Sequence, residues 1–444
     1  MRPATSNTLS WLGIVRLGLV QTALGAVVVL TTSTLNRVMV IELALPATIP
    51  GLLVGIHYAM QVLRPWLGHG ADRSRRSRSW IVGGMAMLAA GGVCAAIATA
   101  LMATHFIAGL LLAVVAFIMI GIGVGAAGTS LLTLLARRTA PERRGAAAAI
   151  AWIMMITGFI VTTAAAGKAL DPFSGIRLVM VSSAVSLIAM LLTVAGVWKI
   201  EGGDEPVQES APARSKFGLE FREIWREPQS RRFAIFIFVS MLAYHAQDLI
   251  LEPFAGSAFG MTPGETTQLS SVQHMGALFG MMLMPLLARA LDAWQTHLHR
   301  WIVGGCIASA AALLNLACVA HLGTSWSLRG AVLLLGITNG IYAIAAIGAM
   351  MSMVGEGRQN SEGMRMGLWG ASQAISFGIG GLAGTAASDI ACRLLSSPAS
   401  AYAAVFVIEA ALFLLSAHLA ARLKQPLDVI HASPALPANQ GAGA

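Results

Sequence analysis

The segment Thr34–Ala47, TLNRVMVIELALPA, closes the first long apolar run of the chain and carries two charged residues within it. Arg37 and Glu42 stand there among side chains that otherwise suit lipid or the interior of a helix bundle. A charge at membrane depth costs at least ~2.5 kcal/mol on insertion scales, so a retained charge usually has a partner or a function. A second stretch, Tyr244–Gly256 (YHAQDLILEPFAG), also carries charge and is predicted to break at its proline. We interpret the two stretches as equivalent parts of a two-fold repeated membrane protein that line its central surface.

The composition indicates a polytopic α-helical membrane protein. Of the 444 residues, 56% are hydrophobic and 11% are charged, and the mean hydropathy is +0.73. A water-soluble protein of this size could not cover such an apolar surplus with its polar surface. The formal net charge of +9 follows the placement of Lys and Arg in loops, so we expect no nucleic-acid partner. The cysteines lack CxxC spacing and are predicted to be small core residues, with no disulfide and no metal: Cys94, Cys306, Cys318 and Cys392.

Apolar runs of about 20 residues predict twelve membrane spans and an all-α fold. The first run is too long for a cleavable signal peptide, so we expect it to remain as a span. Because twelve is even, both termini are predicted to lie on one side. The predicted spans are 11–35, 50–66, 80–102, 106–135, 146–167, 176–198, 233–254, 268–291, 301–321, 328–354, 365–390 and 400–422.

Lys and Arg cluster in alternate loops, and this places both termini and the long central loop in the cytoplasm. The opposite side receives only Lys168, Arg177, Arg329 and Arg393. Within the central loop, the apolar residues of FGLEFREIW recur at helical spacing, which predicts a helix on the membrane surface or a loop helix packed on the bundle. The predicted organisation is a six-helix bundle (1–198), a cytoplasmic linker (199–232), a second six-helix bundle (233–423) and a disordered cytoplasmic tail (424–444).

The two halves share sequence. WIVGG at Trp80–Gly84 recurs at Trp301–Gly305, and each copy opens a span after a cytoplasmic loop. A six-plus-six repeat about a central loop is the layout of many secondary transporters.

The loop between the second and third spans resembles the GxxxDRxxRR motif of the major facilitator superfamily. Gly68, Asp72, Arg73 and Arg76 carry the resemblance, and PERRG at 141–145 is a second common feature of that superfamily. The resemblance implies two six-helix bundles about a central cavity. It also implies that this loop holds the halves closed on the cytoplasmic side; the alternative is a tight loop that obeys the positive-inside rule.

Within that superfamily the chain is similar to the PucC/LhaA family of light-harvesting complex assembly proteins. The strings that carry this similarity are RLGLVQ, TLNRVMVIELALPA, QVLRP, WIVGG and QDLILEPFAG, spread from Arg16 to Gly256. The resemblance implies a multi-pass protein of the bacterial inner, intracytoplasmic photosynthetic membrane that assembles antenna complexes. Its implied partners are antenna polypeptides and the lipid bilayer. Bacteriochlorophyll is its implied cargo, with no certain resident cofactor.

Arg37 and Glu42 are five residues apart, which is about 140° around an α-helix. This spacing predicts that they cannot pair on one face and that Arg37 finds its carboxylate on another helix. The alternative is a snorkelling Arg37 and an interfacial Glu42.

His245, Asp248 and Glu252 fall on one stripe of the seventh span, at i, i+3 and i+7. Such a set can carry protons, bind a cation, or ligate the magnesium of a chlorin through the imidazole. The alternative is a polar cluster that Arg37 or Arg64 satisfies across the bundle.

His57, Gln61 and Arg64 share one face of the second span, and His274 lies in the eighth. A neutral imidazole suits a magnesium tetrapyrrole, but a lone histidine is more often a hydrogen-bonded core residue.

Two functions from different classes follow from the sequence. The first, which the resemblance to the PucC/LhaA family implies, is a non-enzymatic membrane assembly factor for photosynthetic antenna complexes. The second is a proton-coupled transporter of a small solute, in which Asp248 or Glu252 carries the proton. An enzyme of bacteriochlorophyll synthesis is not expected, because the sequence carries no nucleotide or redox-cofactor motif and no paired Asp-rich motif.

Overall fold

The computed structural model describes residues 9–63, 77–139, 143–198, 200, 225–290, 298–322, 325–355 and 362–423. Twelve long helices account for nearly all of these residues, and no strand occurs among them. The prediction of an all-α, twelve-helix fold is confirmed. The helices are α1 (Trp11–Glu42), α2 (Thr48–Met60), α3 (Ser77–Met102), α4 (Phe106–Arg138), α5 (Arg144–Ala169), α6 (Gly175–Val197), α7 (Pro228–Phe259), α8 (Pro263–Ala290), α9 (Leu298–Leu322), α10 (Ser325–Gly355), α11 (Glu362–Leu394) and α12 (Pro398–Ala421).

Among the described residues, ten of these helices are long and apolar enough to cross a membrane. The other two are α2, of which 13 residues are helical, and α8, whose first half carries several hydroxyl and amide side chains. The chain is therefore a multi-pass membrane protein. The polar side chains in the first half of α8 are expected to face the interior of the bundle.

Each half of the chain builds its own apolar core. One core is drawn almost wholly from α1–α6 and the other from α7–α12. The halves meet where α2 packs on α11, where α5 packs on α8, and where the end of α1 packs on both α7 and α8. Side chains from α5, including Ile156, enter the second core, and Leu249 of α7 enters the first.

The halves are joined at the end of the bundle where α1 finishes and α2 begins, which we call the distal end. Asp389 of α11 accepts hydrogen bonds from the backbone amides of Ala47 and Thr48, both 2.7 Å long, and from the Thr48 hydroxyl. Because these amides open α2, the carboxylate caps a helix N-terminus in the other half. At the related junction between α5 and α8, the Thr262 hydroxyl donates to Asp171 at 3.1 Å.

Two sequence expectations are wrong. The chain does not break at Pro253, because α7 continues through this residue to Phe259. The cysteines are not all core residues: Cys306 is buried, whereas Cys318 and Cys392 are exposed. The loop-motif residues Gly68, Asp72, Arg73 and Arg76, nearly all of the predicted surface helix, and the tail from 424 lie outside the described residues.

Candidate functional site

The end of α1 departs from α-helical geometry in two places. Leu30–Thr34 and Val38–Glu42 are π-helical turns, and the Leu43 amide donates to the Val38 carbonyl at 3.1 Å. A π turn closes its hydrogen bond over five residues, so residues five apart lie one above the other. Arg37 and Glu42 therefore form an ion pair with each other. The prediction that Arg37 finds its carboxylate on another helix is wrong, because it assumed α-helical spacing.

Arg37 also connects the two halves. Its guanidinium donates to the Met261 carbonyl at 2.7 Å, just before α8 begins. Gly256 leaves room for this close approach, since a Cβ atom there would lie 3.2 Å from the guanidinium. Arg37 is 2% exposed while Glu42 is 34% exposed, so the pair has one buried member and one that reaches solvent. The ion pair is therefore a structural connection at the distal end.

Asn36 of the first half supplies the hydrogen bond that Pro253 of the second half removes from α7. A proline has no amide hydrogen, so Pro253 leaves the carbonyl of Leu249, four residues earlier, without its helical donor. The side-chain amide of Asn36 donates to this carbonyl. Both Asn36 and Leu249 are at most 1% exposed, so no water is at hand to replace the bond. This contact joins the stretch Thr34–Ala47 to the stretch Tyr244–Gly256.

Glu252 lies in a group of hydroxyls that we call the hydroxyl cluster: Ser33, Thr266 and Ser270. Ser33 and Ser270 each donate to one Glu252 oxygen at 2.6 Å. The Thr266 hydroxyl lies 3.4 Å from the other oxygen. Glu252 is 1% exposed, and no cation lies within ion-pair distance of it among the described residues. Of the two arginines that the alternative interpretation named, Arg37 does not pair with this carboxylate, which hydroxyl groups contact instead; Arg64 lies outside the described residues.

His245 and Asp248 form a second polar group nearer the middle of α7. The imidazole Nδ1 lies 3.2 Å from Asp248, and Gln273 of α8 donates to the same carboxylate at 3.3 Å. Phe377 stacks on the imidazole with ring centres 4.4 Å apart, and Tyr58 meets it edge-on at 5.1 Å. Nε2 of His245 is buried and has no hydrogen-bond partner among the described residues. We call these five residues the imidazole cluster.

The other predicted histidines have local partners. His57 lies 3.1 Å from Gln61 between their Nε2 atoms, as their i, i+4 spacing predicts. His274 Nδ1 bonds the Ser270 carbonyl at 2.7 Å, and its ring packs edge-on against Phe159 of α5. Arg64 lies outside the described residues.

The predicted residues thus fall into separate groups. Glu252 and Arg37 lie at the distal end, whereas His245 and Asp248 lie in the imidazole cluster between α2, α7, α8 and α11. His57 and Gln61 bond each other. Within the described residues, no group of three His, Cys, Asp or Glu side chains is arranged to hold a metal ion.

Two acidic residues with notable positions were not among the predicted site residues. Asp389 caps α2, and Glu409 of α12 is 2% exposed with no hydrogen-bond partner on either oxygen among the described residues. Glu409 is the single charged residue of α12, which is the signal that singled out Arg37, whereas Asp389 shares its span with Arg393.

The fold is similar to that of solved secondary transporters. The crystal structure of the D-xylose-proton symporter matches with a TM-score of 0.69 and 12% identity, covering 94% of this chain and 98% of that one. At this identity the likeness concerns the fold alone. It confirms the predicted major facilitator arrangement.

Sequence relatives cover nearly the whole chain. The protein named bacteriochlorophyll synthase 44.5 kDa chain, from Rhodobacter capsulatus, is 50% identical over 414 residues, which cover 93% of this chain and 95% of the relative. Protein PucC of Cereibacter sphaeroides is 27% identical over 434 residues, covering 93% of this chain and 92% of the relative. Residues 34–427 match the family model described as PUCC protein. The chain belongs to the PUCC protein family.

Proposed function

We propose that this protein is a non-enzymatic assembly factor for bacterial photosynthetic antenna complexes, acting in the photosynthetic membrane. Membership of the PUCC protein family over residues 34–427 carries the proposal. The half-identical relative is named for bacteriochlorophyll synthesis, which supports a place close to the pigment. Bacteriochlorophyll and nascent antenna polypeptides are the proposed cargo.

His245 is the proposed contact to pigment. A neutral imidazole is a good axial ligand for a magnesium tetrapyrrole, and Nε2 of His245 has no hydrogen-bond partner among the described residues. Asp248 lies 3.2 Å from Nδ1, and a carboxylate beside this nitrogen favours the tautomer that is protonated on Nδ1 and leaves the Nε2 lone pair free.

Pigment binding at His245 requires α2 and α11 to separate from one another. Phe377 of α11 covers one face of the imidazole, and Tyr58 of α2 packs edge-on against it. Because Nε2 of His245 is buried, a macrocycle can reach it only if the surrounding helices move apart, so the proposed binding is coupled to an opening between the halves. His57 and His274 are weaker candidates, since each already bonds a neighbour in its own helix.

A deletion strain tests the assembly role against the enzyme that the relative's name suggests. We expect the strain still to synthesise bacteriochlorophyll, while assembled antenna, measured by near-infrared absorption of membranes, falls. Normal antenna in the deletion strain would refute the proposal. Loss of the pigment itself, with antenna polypeptides still synthesised, would favour an enzyme.

Variants in the complemented strain test the pigment contact. The purified wild-type protein should carry bacteriochlorophyll absorption, and His245→Gln should lose most of it. His321→Gln is the matched control, because His321 is exposed at the end of α9 and belongs to neither cluster. Equal pigment in the two variants would exclude His245 as the ligand.

A proton-coupled transporter is the second candidate, and a specific observation favours it: Glu252 is a buried carboxyl whose partners among the described residues are hydroxyl groups. Such a group can take up and release a proton when the helices around it move. This candidate predicts solute-dependent proton uptake in vesicles that Glu252→Gln or Asp248→Asn abolishes. Uptake that survives both substitutions would exclude it.

A further inference from the structure

A cleft at the distal end opens between α5 of the first half and α8 and α10 of the second. Its volume is about 200 Å³, and it is lined by Ala164, Lys168, Gln268, Ser271, Val272 and Arg329. This is several times the ~30 Å³ that one water molecule occupies, yet below the ~300 Å³ at which pockets for drug-sized ligands begin. The space therefore fits a small polar group.

The lining of the cleft suits an anion. Lys168 and Arg329 supply two positive charges, Gln268 and Ser271 supply polar groups, and none of the described residues that line the cleft is acidic. Among the described residues neither cation forms an ion pair. The nearby carboxylates of Asp171 and Glu265 instead accept hydrogen bonds from Thr262.

Lys168 and Arg329 lie on the side of the membrane that has few Lys or Arg residues. They are two of only four Lys or Arg residues that the charge pattern assigns to the distal side, and they come from different halves of the chain. Lys168 lies one residue before the end of a membrane-span candidate, Ala149–Ala169. Arg329 lies two residues after the start of another, Ser327–Ala349. Both therefore lie at the level of the lipid headgroups.

We propose that this cleft binds the phosphate of an anionic phospholipid headgroup and that the bound lipid holds α5 against α8 and α10. The guanidinium of Arg329 matches two phosphate oxygens, and the Lys168 ammonium neutralises the remaining charge. Because the ligands come from both halves, lipid binding stabilises the closed distal end described above. The site is separate from the imidazole cluster and does not depend on the proposed function.

Thermal unfolding of the full-length protein in detergent, titrated with dioleoylphosphatidylglycerol, tests the proposal. We expect this lipid to raise the Tm of the wild type and of Arg393→Gln, a control that removes an exposed distal cation outside the cleft. The double variant Lys168→Gln/Arg329→Gln should bind the lipid at least about tenfold more weakly. Native mass spectrometry of bound lipid supplies a second readout that does not rely on stability.

The other arms separate this site from its alternatives. Lys168→Arg keeps the charge and should keep the binding, which guards against a double variant that fails to fold. Equal stabilisation of the control and the double variant would overturn the proposal. Equal stabilisation by phosphatidylcholine would overturn the requirement for an anionic headgroup. If inorganic phosphate alone reproduces the effect at the same concentration, the occupant is a soluble anion and the assignment to lipid is wrong.

Discussion

Asn36 and Pro253 give the sharpest test of how the two halves are joined. Replacing Asn36 by Leu removes the donor that satisfies the Leu249 carbonyl. A buried acceptor left without a partner costs about 1–3 kcal/mol, and interhelical hydrogen bonds in membranes average ~0.6 kcal/mol with a maximum of ~1.7. We therefore expect Asn36→Leu to lower the free energy of unfolding by about 1–2 kcal/mol.

The cost should depend on Pro253. In a Pro253→Ala background the new backbone amide can donate to the Leu249 carbonyl, so the carbonyl no longer needs Asn36. A double-mutant cycle should then give a coupling of about 1 kcal/mol or more, with Asn36→Leu close to neutral in that background. The assay is reversible unfolding in mixed micelles.

Pro285 provides the control for this cycle, because it lies inside α8 and is also helical. In a Pro285→Ala background Asn36→Leu should keep its full cost. If Asn36→Leu costs the same in the wild type and in Pro253→Ala, the two residues are not coupled and the explanation of the α7 proline is wrong.

Three further predictions concern the distal end. Asp389→Ala removes three hydrogen bonds to the start of α2, so it should favour an opened distal end by about 2–4 kcal/mol. Spin labels on α2 and α11 should then lie farther apart, and unchanged distances would contradict the role of Asp389 as a helix cap. Glu42→Gln leaves the buried Arg37 charge unpaired and should lower the free energy of unfolding by about 3 kcal/mol, measured by reversible unfolding. If the Arg37 guanidinium instead reaches solvent, the free energy of unfolding should hardly change. Gly264→Ala places a Cβ atom against the backbone of α5 and should lower the free energy of unfolding by about 1–3 kcal/mol. Gly304→Ala is the control, because no atom lies within 4 Å of the added Cβ and stability should not change. Equal effects of the two variants would argue against tight packing of α5 on α8.

The number of helices and the division into two halves were predictable because hydropathy is a local, additive property. Each span needs only a run of apolar residues, and the repeated WIVGG reports the relation between the halves directly. The family was predictable for a similar reason, since strings such as TLNRVMV are contiguous. The same reasoning picked out Arg37, Glu252 and His245 as buried polar residues without saying what they touch.

The partners of those residues were decided by tertiary structure. Arg37 pairs with Glu42 because a π turn changes the angle per residue, and a turn of this kind leaves no clear trace in an apolar sequence. Asn36 meets Leu249, and Asp389 meets the start of α2, because two helices far apart in the chain pack together. The sequence determined which groups had to be satisfied at membrane depth; the packing of the halves determined which group satisfies each, because a hydrogen bond depends on distances that hydropathy does not encode.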